Sequence, residues 1–328
     1  MPRQRAVEIL FRRGGSKDRM SVKVCIVGCG AIGSLFAAHL ARLEDAEVHA
    51  YDVAKDHIRA INERGLRISG AADFTACLHA TSDASQIPPC DFGIVATKST
   101  HTRLAIEQAK HLFGPSSAVC SVQNGVGNEE ILAQHVKYVI RGTTFPAGHL
   151  IGPGHVGFDI NGDTWIGPFE PANTPYEFVE KLSALLNRSG MHVIPLKDAR
   201  GAQWTKLIFN ASTNPVGALT LLHHRAATRF PPTGALYNAL IAEGEAVAKA
   251  LGIQLHGDPR AFVEKGANAP GKHNASMLQD VLAKRQTEVD FMNGAIVDWG
   301  EKTGVPTPLN RVMWQLIKGL EHSWTDPA

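Results

Sequence analysis

Three polar side chains in the stretch WTKLIFNASTNP, Lys206, Asn210 and Asn214, recur at i, i+4 and i+8, which sets them in one line on a helix. Their neighbours Trp204, Leu207, Ile208 and Phe209 are apolar. A row of one amine and two amides on such a helix either faces a polar cleft or forms a partly exposed amphipathic face, and spacing leaves both open. Pro215 is expected to bend or end the helix just after Asn214. Further on, Ser276 opens SMLQDVLAKRQTEVDFMNG, which reads as one helix with Ser276 and Gln279 as a capping box. Glu288 lies on the same flank as Val281, Met292 and Ala295. An i,i+4 ion pair with Lys284 and a functional carboxylate are equal readings of it.

A second kind of chemistry is written near the N-terminus. Val22–Gly28 (VKVCIVG) is a short apolar run, followed by the turn Gly28-Cys29-Gly30-Ala31-Ile32-Gly33 and the small-residue helix pattern SLFAAHLARL. In such a turn the first glycine permits the tight bend, the second lets the backbone approach a pyrophosphate, and the third lets helix and strand pack closely. The helix N-terminus then offers N–H groups and partial positive charge to the phosphates. Asp52 follows 19 residues past Gly33, at the end of the second strand pattern AEVHAYD. A carboxylate there accepts from both ribose hydroxyls of NAD and repels a 2′-phosphate, so NAD(H) is favoured over NADP(H). The alternative is a solvated turn aspartate, and Lys55 stands close enough to soften any repulsion.

The elements that would position these groups alternate. Short apolar strands at 92–97 and 118–122 interleave with helices at 57–65 and 104–113, the pattern of a doubly wound parallel sheet. Beyond about residue 142, His155–Ile160 and Thr164–Ile166 flank Asn161-Gly162-Asp163, a hairpin signal, and His192–Pro195 is a last short strand. From Asp198 onward helical patterns take over, at 199–214, 234–251, 276–303 and 309–322, with Gly266–Lys272 as a loop. The fold class is α/β: a dinucleotide-binding domain over 20–196 and an all-helical domain over 197–328, preceded by an extension at 1–19 expected to be disordered.

The 328 residues carry 33 Lys and Arg against 31 Asp and Glu, and this near-neutral balance gives no electrostatic footprint for nucleic acid. No apolar run approaches the roughly 18 residues of a membrane span. The five cysteines, Cys25, Cys29, Cys77, Cys90 and Cys120, read as buried thiols in a reducing compartment, with no metal site. The cytoplasm is the expected location. A homodimer is compatible with these features, though no residue pattern requires one.

Over Lys23 to about Glu321 the sequence resembles the ketopantoate reductase (2-dehydropantoate 2-reductase) family. The resemblance rests on GCGAIG at 28–33, ATKS at 96–99, QNGVGNEE at 123–130, Pro153-Gly154 and Ile166-Gly167. KLIFNASTNP at 206–215, SMLQD with RQTEVDFMNG across 276–294, and GVPTPLN at 304–310 complete it, in the family's order. It implies a Rossmann domain followed by a helical domain of the 6-phosphogluconate dehydrogenase C-terminal type, with the active site between them. It also implies reduction of ketopantoate, or of a related branched or aromatic 2-oxo acid, by hydride from NAD(P)H, a step of pantothenate biosynthesis. By position Lys206 matches the general-acid lysine and Glu288 the substrate-orienting carboxylate. Asn210, Asn214 and Ser276 match substrate-binding groups, while Lys98 and Asn124 match residues beside cofactor and substrate.

The residue types suit that chemistry. Hydride delivery leaves negative charge on the carbonyl oxygen, which a nearby cation stabilises and protonates. Burial lowers the pKa of such a lysine, and Glu288 would oppose the shift. Two positions depart from the family pattern. Asp52 replaces the arginine of NADPH-using members, and His224 stands where some members have a substrate-binding asparagine. An NAD-dependent D-2-hydroxyacid dehydrogenase on the same scaffold and a non-catalytic nucleotide sensor are the alternatives.

Overall fold

Alternation along the first strand explains the N-terminal half. In the computed structural model, which describes residues 21–269 and 274–325, β1 (Val22–Val27) sends Val24 and Ile26 to one face of a sheet and Cys25 and Val27 to the other. Both faces are covered along Val24–Val27, so that part of the strand is apolar throughout. The extension expected over 1–19 lies outside the described residues.

The first half continues with α1 (Ala31–Leu40), β2 (Ala46–Tyr51), α2 (Lys55–Arg64), β3 (Leu66–Gly70), β4 (Phe74–Ala76), β5 (His79–Thr81), β6 (Phe92–Val95), α3 (Thr102–Ala109), β7 (Ala118–Ser121), α4 (Asn128–Leu132) and β8 (Tyr138–Thr144). Then come β9 (Ala147–Gly152), β10 (His155–Ile160), β11 (Thr164–Pro168), α5 (Tyr176–Arg188) and β12 (Val193–Pro195). The main sheet runs β12-β11-β8-β7-β6-β1-β2-β5, and all its neighbours are parallel except β11 against β8. Its order reverses between β1 and β6, the point at which doubly wound sheets bind ligands outside the carboxyl ends of their strands.

A second sheet, β4-β3-β10-β9, covers α1 from the side away from the main sheet. With a sheet on each side, α1 is buried from Gly33 to Leu40, and its apolar residues therefore show no one-sided pattern. The hairpin expected across Asn161-Gly162-Asp163 does not form. β10 and β11 belong to different sheets, and the turn signal marks the crossing between them. The hairpin partner of β10 is β9, joined to it through Pro153-Gly154.

The helical half comprises α6 (Arg200–Thr220), α7 (His224–Arg229), α8 (Pro231–Ala250), α9 (Pro259–Asn268), α10 (Ser276–Leu282), α11 (Asn293–Thr303) and α12 (Pro308–His322). Trp204, Leu207, Ile208 and Ala211 of α6 anchor its core. The helix does not end at Pro215: α6 runs through it for another turn. A proline leaves the carbonyl four residues earlier without its N–H, and here that carbonyl, Ala211 O, accepts from Asn293 Nδ2 at 2.8 Å. The segment read as one helix from Ser276 is also broken. Lys284 takes a left-handed conformation (φ 49°), and an irregular stretch separates α10 from α11. The loop expected from Gly266 starts later, because α9 runs to Asn268, and residues 270–273 lie outside the described set. Of the five free cysteines, Cys77 is exposed rather than buried.

Candidate active site

The glycine turn stands at the carboxyl end of β1. Gly28 has φ 91°, and a side chain there would strike Thr97 at 2.6 Å; at Gly33 its first carbon would lie 1.9 Å from Gly28 O. At Gly30 it would meet nothing within 4 Å, so this glycine leaves open space in front of the helix. No side chain caps the N-terminus of α1, with Gly30 at the cap position and Ala31, Ile32 and Gly33 in the first turn. An open cradle, an uncapped helix end and an adjacent carboxylate fit the pyrophosphate and ribose of a dinucleotide. Cys29 contributes its backbone, its side chain being buried. Asp52 reaches the turn directly: Oδ2 accepts from the Cys29 N–H at 2.6 Å and Oδ1 from the Ala54 N–H at 2.8 Å. Lys55 is exposed at the start of α2.

The loops after β6 and β7 bring the second group of residues to the same edge. Ser99 donates from its hydroxyl to Asn124 O at 2.8 Å, and Asn128 Nδ2 donates to Asn124 O at 3.0 Å. These bonds hold the Asn124 amide toward the helical domain, where its Nδ2 donates to Glu288 Oε2 at 3.2 Å. Glu288 is buried and also accepts from the Ser99 N–H at 2.9 Å, with the Ser99 hydroxyl oxygen 3.0 Å away. Lys98 reaches across the same gap, 2.7 Å from Asp280 Oδ2 and 3.6 Å from Glu288 Oε2. Burial alone would lower the Lys98 pKa, but the charges of Glu288 and Asp280 outweigh it and raise the value.

The ion pair with Lys284, one of the two readings of Glu288, does not form, because the chain leaves helical geometry at Lys284. Arg285 turns back to Asp280, donating through Nη2 at 3.1 Å, and Thr287 bonds Glu321 through its N–H at 2.8 Å. That irregular stretch carries Glu288 to Ser99 and Asn124. Ser276 is likewise not a helix cap, since Ala275 holds that position; its hydroxyl donates to Asn214 Oδ1 at 3.2 Å. Asn214 Nδ2 in turn donates to Asn210 Oδ1 at 3.2 Å. Asn210 and Asn214 of α6, both buried, thus form one polar row with the half-buried Ser276 of α10, and the two asparagines do not lie on an exposed face.

Lys206 heads that row. Its ammonium donates to Thr144 O at the end of β8 and lies 5.2 Å from the centre of the Phe145 ring. Burial brings its pKa down from 10.5 to about 8, against the opposing charge of Glu288. Ser99, Asn128, Thr144 and Asp280 were not singled out from sequence. Ser99 and Asp280 lie inside the motifs ATKS and SMLQD, but only their partners distinguish them. Among the described residues, no group of three His, Cys, Asp or Glu side chains could hold a metal ion, and no helix is long and apolar enough to cross a membrane.

Both halves of the chain match family models. Residues 24–171 match the model of ketopantoate reductase PanE/ApbA, and residues 198–321 match that of its C-terminal domain. The chain belongs to the ketopantoate reductase family. A 2-dehydropantoate 2-reductase of Pyrococcus abyssi is 32% identical over 301 residues, covering 92% of this chain and 98% of the relative. The crystal structure of a PanE/ApbA family ketopantoate reductase from Ralstonia eutropha superposes with a TM-score of 0.84 at 30% identity, covering 93% of this chain and all of that one. D-mandelate dehydrogenase, solved with NADH, superposes at 0.81 with 25% identity over 92% of this chain and 99% of that one. In this ketopantoate reductase family member the parallel sheet with its glycine turn and the helical domain meet at Lys98, Ser99, Asn124 and Glu288.

Proposed function

We propose that this chain reduces a 2-oxo acid to the 2-hydroxy acid with a nicotinamide cofactor in the cytoplasm, ketopantoate to pantoate being the reaction its relatives' names point to. The observation that carries the reading is Lys206. A lysine of pKa about 8 heads a polar row and feels the charge of Glu288, which Ser99 ties to the sheet that carries the dinucleotide cradle. A nicotinamide bound on the glycine turn supplies the hydride. Lys206 donates a proton from Nζ to the carbonyl oxygen as negative charge builds there, and afterwards recovers one from solvent. Asn210 and Asn214 offer amide N–H donors to the substrate carboxylate, and Ser276 holds the Asn214 amide in place through its hydroxyl. Glu288, fastened by Ser99 and Asn124, keeps Lys206 protonated and oriented.

Asp52 supports NADH as the preferred cofactor. Its carboxylate closes the glycine turn through Cys29, at the side where a 2′-phosphate of charge about −1.5 to −2 would sit. The test is loss of NADH and NADPH fluorescence on adding ketopantoate, with a panel of other 2-oxo acids in parallel. Turnover supports the reading, and silence with every acid overturns it.

A further inference from the structure

On one flank of Lys206 runs the polar row; on the other stands a wall of rings. Phe145, directly after β8, stacks on Phe262 of α9 with centroids 5.1 Å apart and planes 26° from parallel. Trp165 of β11 meets the edge of Phe145 at 5.2 Å. Phe262 lies 6.3 Å from Phe209 of α6, which is three residues past Lys206, and Phe209 lies 6.0 Å from His224 of α7. These five rings come from five elements or their edges and form one chain of ring contacts, with Phe145 beside the Lys206 ammonium. None is fully buried, whereas the phenylalanines that pack between the sheets, Phe36 and Phe158, are.

His224 is held in the wall by its own packing. Its Nε2 bonds Val263 O at 2.9 Å, its ring stacks on Tyr237 at 6.4 Å, and Gly266 leaves it room, since a side chain there would meet Nε2 at 2.8 Å. With Nε2 committed to a carbonyl, the imidazole presents a ring edge to Phe209.

We propose that this wall receives the substrate's side chain and selects 2-oxo acids bearing a flat aromatic group on the carbonyl carbon. The inference rests on the 2-oxo acid reductase reading and adds its substrate class. A carboxylate held by the Asn210 and Asn214 amides, with its carbonyl oxygen at Lys206, turns the remaining substituent toward Phe145, Phe209 and Phe262. Half-buried rings gain most from another ring, which stacks or meets them edge-on and removes their remaining apolar surface from water. A branched side chain with a hydroxyl covers less of that surface. It also takes the hydroxyl out of water against ring faces.

The experiment measures kcat/KM for benzoylformate and for ketopantoate with the same cofactor, in the full chain and in F262A and F209A. A parent ratio of about tenfold or more in favour of benzoylformate is expected, falling about tenfold in each variant. F262L, which stays apolar but loses the flat face, should lower the ratio as well while keeping Tm close to the parent's. A parent that favours ketopantoate overturns the inference and leaves the reductase reading standing. So do variants that lower Tm with the ratio unchanged, since the rings would then serve only to hold α9 against β8 and α6. If no 2-oxo acid is turned over, both readings fall together.

Discussion

The Ser99 N–H donates to Glu288 Oε1 at 2.9 Å across 189 residues of sequence, joining the loop after β6 to the irregular stretch before α11. Through this bond the carboxylate is tied to the sheet that carries the glycine turn, while its charge acts on Lys206 of the helical half. Any change at Glu288 therefore alters the proton donor and the fit of the two halves together.

Glu288→Gln keeps the shape of the group and removes the charge. The charge of Glu288 raises the Lys206 pKa against burial, so the variant's alkaline limb in kcat/KM should move to lower pH. Rate profiles of parent and variant between pH 6 and 10 read this directly. A purely structural role would lower Tm and leave the limb where it was. Glu288→Ala should go further, raising KM and lowering kcat together, because the substrate-side groups lose register.

For the parent, reduction requires the ammonium form of Lys206. With a pKa of about 8, that form is nearly complete at neutral pH and falls about tenfold per unit well above 8. Lys206→Ala should cut kcat by about 10²–10⁴-fold with cofactor affinity nearly unchanged. A variant within threefold of the parent would remove Lys206 from the mechanism.

Cofactor choice should follow Asp52. At an effective dielectric of 20, two unit charges about 4 Å apart repel by roughly 4 kcal/mol. Exposure and Lys55 reduce that, so a preference for NADH of about 10–100-fold in kcat/KM is expected. Asp52→Arg should flatten or reverse it, since the guanidinium attracts the phosphate that the carboxylate repels. The variant also loses the carboxylate contact with the Cys29 N–H, so its activity with NADH should fall as well. A parent that favours NADPH would refute the assignment.

A buried carboxyl outside the cleft predicts a stability change. Glu129 is fully buried and accepts from Gln203 Nε2 at 2.9 Å, but its Oε2 has no protein partner. Burial raises its pKa from 4.5 to about 7, with Arg141 opposing the shift and Glu130 adding to it. The folded state therefore holds a proton that the unfolded state has lost between about pH 4.5 and 7. The stability this proton supplies is complete at low pH, declines across that window and is gone above it. Glu129→Gln should raise stability at pH 8 by about 1–3 kcal/mol, and the gain should shrink toward pH 5. Denaturant titrations of both proteins at the two pH values measure it, and equal effects at both would contradict the prediction.

What the sequence by itself determined is local. The apolar strand, the glycine turn, the small-residue helix and Asp52 occupy one short stretch, and their steric and electrostatic demands hold whatever the rest of the chain does. The i, i+4, i+8 row from Lys206 to Asn214 is equally a matter of helix geometry. The tertiary structure decided what depends on distant partners. Pro215 continues α6 because Asn293 supplies a donor to the carbonyl it leaves free. The turn signal at Asn161-Gly162-Asp163 separates two sheets because β10 pairs with β3 and β9, while β11 pairs with β8 and β12. Glu288 leaves Lys284 for Ser99, Asn124 and Lys98, and Ser276 turns from capping to Asn214. At Ala211 O, Asn214 and Glu288 a buried polar group takes a fixed partner from another part of the chain, because leaving it unpaired away from water costs more than a weak local contact returns.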